Sequence, residues 1–297
     1  MPLFHGLSAF PLTPTDHAGV VDTQALAALL GRLADAGVDS VGLLGSTGSY
    51  AYLTRVERQR AIRVAVDILS GRLPLVVGVG ALRTDEAVEL ARDAELLGAD
   101  GLLLAPMSYT PLSEEEVLQH FATVAAATAL PLCVYNNPRT THFAISDDLL
   151  AQLASIPGIM AVKNPAVPAD EAAARHAALT GRVPDSFALG YSGDWDAGAA
   201  LLAGGRAWYS VAGGLLPEPC LKLTRAAQAG NDAEVARINA LFQPLWSLFK
   251  ELSSYRVIYA AANALGITDA QPPRPILPLG AEDQGRVVAA VRELRSI

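Results

Sequence analysis

Lysine is scarce in this chain, with three against nineteen arginines, and one of the three, Lys163, ends the apolar run Ile159-Met160-Ala161-Val162. A lysine removed from water loses several kcal/mol of hydration unless it is paired or discharged. A sequence that otherwise prefers arginine gains nothing structural by placing one there. What lysine offers, and arginine cannot, is a neutral amine: lysine's reference pKa of about 10.4 falls readily on burial, whereas a guanidinium stays charged. A neutral amine attacks carbonyls, so Lys163 is a candidate Schiff-base lysine. The plainer alternative is a lysine at a strand end whose ammonium snorkels to solvent.

Two further groups bear on that choice. Tyr135 ends another apolar run, and Gly45-Ser46-Thr47-Gly48-Ser49 forms a hydroxyl-bearing turn ahead of a helical pattern. A tyrosine, Ser or Thr hydroxyls and an amine make a proton relay without carboxylate or histidine. Singly, a tyrosine is more often a packed ring with a satisfied hydroxyl, and such a turn is an ordinary strand-to-helix connection. Their joint occurrence at one rim favours chemistry.

That rim follows from the elements. Eight β-type runs, 6–10, 40–45, 74–79, 101–106, 131–136, 159–164, 187–192 and 207–211, are continuously apolar, as strands buried on both faces are. Amphipathic segments alternate with them. Asp22, Thr54, Thr84, Ser113 and Ser146 stand at helix starts, and Thr54 with Glu57 and Ser113 with Glu116 read as capping boxes. Softer helical patterns run over 169–179, 195–203 and 218–229. Eight such units predict a (β/α)8 TIM barrel of α/β class over residues 1–229. A doubly wound open sheet is less favoured, because no Gly-x-Gly-x-x-Gly follows the first strand. Beyond Gly230 only helical patterns remain, over 233–251, 255–265 and 283–294, predicting a C-terminal helical appendage over 230–297. In such barrels the active site lies at the carboxyl ends of the strands. Lys163 ends strand six, Tyr135 ends strand five, and neighbouring strands lie about 4.8 Å apart, so both reach one small substrate.

Composition excludes other classes. The 297 residues are 51% hydrophobic and 18% charged, with a net charge of −8, which excludes disorder and argues against a nucleic-acid surface. No apolar stretch approaches the roughly 18 residues of a membrane span, and the start of the chain does not read as a secretory signal. The expectation is a soluble, cytoplasmic protein without membrane association. Cys133 and Cys220 form neither a disulfide framework nor a zinc pattern, and His5, His17, His120, His142 and His176 show no ligand spacing. No bound metal is expected. Val77-Gly78-Val79-Gly80 and Ala212-Gly213-Gly214 suggest phosphate cradles, but no arginine or helix-amide pattern accompanies them. Asp194, after strand seven, is a candidate helix cap.

The chain resembles the family of dihydrodipicolinate synthase and N-acetylneuraminate lyase, class I pyruvate-type aldolases. The resemblance runs through Ala9-Phe10-Pro11-Leu12-Thr13-Pro14, Gly45-Ser46-Thr47-Gly48 with Leu53-Thr54 and Glu57-Arg58, Tyr135-Asn136-Asn137-Pro138-Arg139-Thr140, Val162-Lys163, and Gly204-Gly205 leading into Tyr209-Ser210-Val211. It implies Lys163 as the imine-forming amine, Tyr135 as the proton shuttle, and Ser46 and Thr47 as the hydroxyls that bind the pyruvate carboxylate and link to the tyrosine. It also implies that the Tyr209 backbone carbonyl faces the site, that no cofactor is needed, and that the protein is a homodimer or homotetramer. The partners it implies are a 2-oxo acid and an aldehyde or sugar acid.

Three departures touch the second-substrate half. Arg139 stands one position nearer the motif proline than the family's carboxylate-clamping arginine. The family's tyrosine pair after strand four falls on Met107 and Ser108, with Tyr109 one place later. Asn164-Pro165 follows the lysine where an acidic residue is common. The pattern points to a synthase-like lyase with an altered acceptor site. A true synthase joining pyruvate to aspartate semialdehyde, or a barrel that binds a 2-oxo acid without turnover, are the alternatives.

Overall fold

The computed structural model describes residues 3–69 and 71–294. Strands β1 (Gly6–Ala9), β2 (Ser40–Leu43), β3 (Leu75–Gly78), β4 (Gly101–Leu104), β5 (Leu132–Tyr135), β6 (Ile159–Pro165), β7 (Ala188–Ser192) and β8 (Ala207–Ser210) pair in chain order, and β8 closes on β1. All eight pairings are parallel. The expected (β/α)8 barrel is the observed fold. Helices α1 (Thr23–Ala36), α2 (Arg55–Leu69), α3 (Thr84–Leu97) and α4 (Glu114–Ala125) follow the first four strands in turn. A single turn, α5 (Pro138–Thr141), precedes α6 (Asp147–Ala154) after β5. Then α7 (Ala169–Thr180), α8 (Ala197–Leu202) and α9 (Pro217–Gln228) complete the ring, and α10 (Asp232–Leu252), α11 (Ser254–Ala264) and α12 (Ala281–Leu294) follow it.

Helix starts match the sequence reading where the cap is local. Asp22 accepts from the Gln24 and Ala25 amides, Ser113 and Glu116 form the full capping box, and Ser146 accepts from Leu149 N. Three capping expectations fail because a long-range partner takes the side chain. Thr54 Oγ1 accepts from Glu57 N, but Glu57 Oε2 accepts the Val21 amide at 2.8 Å instead of returning to Thr54. Thr84 is the first residue of α3, as expected of a helix start, but it does not cap the helix, and its hydroxyl pairs with His120 Nδ1 at 2.9 Å. Asp194 does not cap α8: its carboxylate instead accepts from Trp208 Nε1 and from the Val211 and Ala212 amides beyond β8.

Two apolar layers position the site. The outer one fills the space between strands and helices. The inner one lines the barrel bore and includes Phe10, Val76, Leu103, Cys133, Tyr135, Ala161, Ala188, Ala207 and Tyr209. Side chains two apart on a strand share a face, so Cys133 and Tyr135 on β5, Ala161 and Lys163 on β6, and Ala207 and Tyr209 on β8 all point into the bore. Small residues there make room for large ones. A Cβ on Gly42 would lie 2.2 Å from the Phe10 ring, and one on Gly190 would lie 2.5 Å from the Tyr209 ring. Met160, which the apolar run suggested was buried, is 40% exposed at the opposite end of β6.

Candidate active site

Lys163 and Tyr135 are direct register partners on adjacent strands. The junction is fastened just beyond them. Asn136 N donates to Lys163 O at 3.0 Å, Asn136 Nδ2 donates to Asn164 Oδ1 at 3.0 Å, and Asn136 Oδ1 accepts the Ile145 amide. Asn164, on the alternate face from Lys163, therefore ties β6 to β5 rather than facing the bore.

The Lys163 side chain is buried among rings. Its Nζ lies 3.7 Å from the Phe10 ring centroid, 4.4 Å from that of Tyr135 and 5.7 Å from that of Tyr209. The snorkelling alternative does not hold, since the residue is only 3% exposed. Three rings pack around the amine, and a ring face attracts it by about 0.5–2 kcal/mol whenever it is protonated. They leave the amine aimed at a cleft of about 480 Å³ at the carboxyl ends of the strands.

The Tyr135 hydroxyl accepts from Asn137 Nδ2 at 2.9 Å and from Ser46 Oγ at a longer 3.4 Å. Both bonds use its oxygen as acceptor, so its own proton remains available to a substrate. Apo catalytic hydrogen bonds are commonly long and tighten on binding, which suits the Ser46 contact. Thr47 is buried and lines the cleft, but it is Ser46 that approaches the tyrosine. Asn137 was not singled out in the sequence. Its place two residues after Tyr135, ahead of a proline that starts α5, is the signal that points to it.

The remaining predicted residues divide. Arg139, on α5, lines the mouth of the cleft. Tyr209 lies in the bore: its ring packs edge-on to Phe10 and its hydroxyl accepts from Cys133 Sγ at 3.5 Å. Burial pushes that hydroxyl up and pushes the Cys133 thiol up to about 12, so both stay protonated. Tyr109 is 96% exposed and lies outside the cleft of its own chain. Tyr50, Trp195 and Arg256 line the cleft without having been predicted. Burial, with Tyr135 close by, pushes the Tyr50 hydroxyl above its ordinary range.

The glycine-rich turns do not form phosphate cradles. A Cβ on Gly214 would lie 2.6 Å from the Phe10 carbonyl oxygen, and one on Gly80 would lie 2.8 Å from the Tyr50 ring. Protein atoms occupy the space a phosphate would need. Among the described residues, no three His, Cys, Asp or Glu side chains are grouped to hold a metal ion, and no helix is long and apolar enough to cross a membrane.

The fold and the site together define a lyase built on a (β/α)8 barrel. The chain belongs to the dihydrodipicolinate synthetase family, whose sequence profile matches residues 3–294. It is 34% identical over 284 residues, 95% of each chain, to the 4-hydroxy-tetrahydrodipicolinate synthase of Azoarcus sp. (strain BH72). It is 35% identical over 269 residues, 90% of each chain, to that of Nitrosomonas europaea. A crystal structure of dihydrodipicolinate synthase from Agrobacterium tumefaciens superposes with a TM-score of 0.96 at 60% identity, covering 98% of both chains. The Acinetobacter baumannii synthase solved with pyruvate superposes with a TM-score of 0.91 at 26% identity, covering all of both chains.

Proposed function

We propose that Lys163 forms a Schiff base with pyruvate or another 2-oxo acid, and that the resulting enamine makes or breaks a bond to an aldehyde or sugar-acid partner. The observation that carries this reading is a buried amine, ringed by Phe10, Tyr135 and Tyr209, opening on the same cleft as a tyrosine hydroxyl whose proton is uncommitted. The neutral amine attacks the C2 carbonyl of the oxo acid, and the carbinolamine loses its hydroxyl as water on receiving a proton from Tyr135. The iminium withdraws electrons, C3 releases a proton to the Tyr135 oxygen, and the enamine attacks the aldehyde carbon, whose oxygen takes that proton from Tyr135; water then hydrolyses the product iminium and frees Lys163. Ser46 and Thr47 hold the oxo-acid carboxylate, Arg139 meets the partner's acidic group, and the Tyr209 carbonyl borders the site. No cofactor enters these steps. Tyr109 acts from a neighbouring subunit of a homodimer or homotetramer in the cytoplasm, with 1–229 as the catalytic unit and 230–297 as the helical one.

A second reading, condensation of pyruvate with aspartate semialdehyde, is favoured by the synthase names of the relatives. The one-position shift of Arg139, and Met107 and Ser108 where the family carries its tyrosine pair, favour a different partner. The test of the Schiff base is intact-protein mass after incubation with pyruvate and borohydride. A reduced adduct is expected in the parent and none in Lys163→Ala. An adduct retained by the variant, or missing from folded parent protein, overturns the proposal.

A further inference from the structure

Two guanidinium side chains line the cleft, Arg139 from α5 and Arg256 from α11, beside the Lys163 amine from β6 and against one acidic side chain, Asp194. The acid is already committed. Its Oδ1 accepts from Trp208 Nε1 at 2.9 Å and Val211 N at 3.3 Å, and its Oδ2 from Ala212 N at 2.7 Å and Ser210 Oγ at 3.2 Å. Four hydrogen bonds fill the acceptor sites of a carboxylate, and burial pushes this carboxyl up, which disfavours its charge. A ligand therefore meets a cationic cleft in a chain whose net charge is −8. Like-signed groups between low-dielectric walls focus the field and collect anions.

The Schiff-base chemistry uses Lys163 but does not account for Arg256. Several helix-borne arginines are paired, Arg175 with Asp147, Arg225 with Asp39, Arg237 with Glu234 and Arg286 with Glu251, whereas Arg63, Arg92, Arg139 and Arg292 are exposed to water. Arg256 is half-buried, and among the described residues its guanidinium has no hydrogen-bond or ion-pair partner. Partial desolvation without a partner costs free energy that a bound anion would offset. The backbone presenting it is also fixed. Ser253 holds φ at +75°, a conformation rare outside glycine, and the Tyr255 hydroxyl lies 2.6 Å from Ser49 Oγ. Ser49 belongs to the turn that carries Ser46 and Thr47, so the arginine and the carboxylate-binding hydroxyls are joined through one hydrogen bond. A cleft of about 480 Å³ accepts ligands well beyond three carbons.

We infer that Arg256 binds an anionic group at the far end of the substrate chain, making it a specificity-determining residue for 2-oxo acids with a distal carboxylate or phosphate. This rests on the Schiff-base reading, and the experiment separates the two. Half-saturating concentrations for borohydride trapping are measured for 2-oxoadipate against 2-oxohexanoate, and for 2-keto-3-deoxy-6-phosphogluconate against 2-keto-3-deoxygluconate. Pyruvate, which has no distal group, is the reference. In the parent, the anionic member of at least one pair half-saturates at a concentration about 10- to 100-fold lower, the size of one charge-assisted hydrogen bond. Which pair shows the difference distinguishes carboxylate from phosphate. Arg256→Gln removes the difference and Arg256→Lys restores part of it. Equal half-saturation within both pairs in the parent, or a loss in Arg256→Gln that falls equally on neutral probes and pyruvate, overturns the inference. Failure to trap even pyruvate overturns the Schiff-base reading and this one with it.

Discussion

At the scale of single residues, the site separates two tasks that one lysine cannot perform alone. In the proposed chemistry Lys163 supplies the electron pair, and its surroundings are aromatic faces rather than acids. Tyr135 would supply the proton, and Asn137 and Ser46 both donate to its oxygen. Removing the hydroxyl while keeping the ring preserves the packing against Lys163. Tyr135→Phe is therefore expected to fold normally and to lower turnover by about 10²-fold or more, the contribution of positioned proton transfer. Steady-state rates with a productive aldehyde or sugar acid check this, and an unaltered rate would remove Tyr135 from the mechanism.

At the scale of elements, β6 must hold Lys163 steady while helices on its outer face carry the load. Its neighbours α6 and α7 are clamped together by Arg175, whose two terminal nitrogens reach the Asp147 carboxylate at 2.7 and 2.6 Å. The Arg175 guanidinium holds the Asp147 carboxyl below its ordinary value of 3.8. A group whose folded value is depressed stabilises the fold above its unfolded value, and that stabilisation is lost as pH falls through the folded one. Asp147→Asn is thus expected to lose about 1 kcal/mol at neutral pH, with the gap to the parent closing as pH drops below 3.8. Urea unfolding across that range reads the gap, and one that stayed constant in acid would show that the clamp does not contribute through charge.

At the scale of the whole molecule, Tyr109 is the residue that a single chain leaves unexplained. It is 96% exposed, and Tyr52, Val56 and Leu82 are also exposed apolar side chains, at 47%, 62% and 60%. Apolar side chains exposed singly are ordinary, and they mark contact surfaces only where they gather. If Tyr109 serves a neighbouring subunit's cleft, light scattering should give a dimer or tetramer mass. Tyr109→Ala should then lower turnover while leaving pyruvate trapping by Lys163 in place. A fully active monomer, or full turnover in the variant, would exclude the trans role.

Much of this architecture was readable from the chain because the information is local. Parallel strands buried on both faces appear as short apolar runs, and eight of them in alternation with capped amphipathic segments specify the barrel. A lysine and a tyrosine at the ends of neighbouring runs then share a rim by geometry alone. Reading failed where a side chain's partner is distant in sequence. Glu57 leaves its capping position for Val21, Asp194 leaves α8 for the turn after β8, and Met160 sits at the exposed end of an otherwise buried strand. Arg256 lies 93 positions from Lys163 in the numbering, yet both line one cleft. The sequence by itself determined the elements, their order and the two residues best suited to imine chemistry, since periodicity and residue type are written along the chain. Only the tertiary structure decided which hydroxyl meets Tyr135, which acid is already satisfied and which arginine lines the cleft without a partner among the described residues, because hydrogen-bond partnership depends on distances that chain closure alone sets.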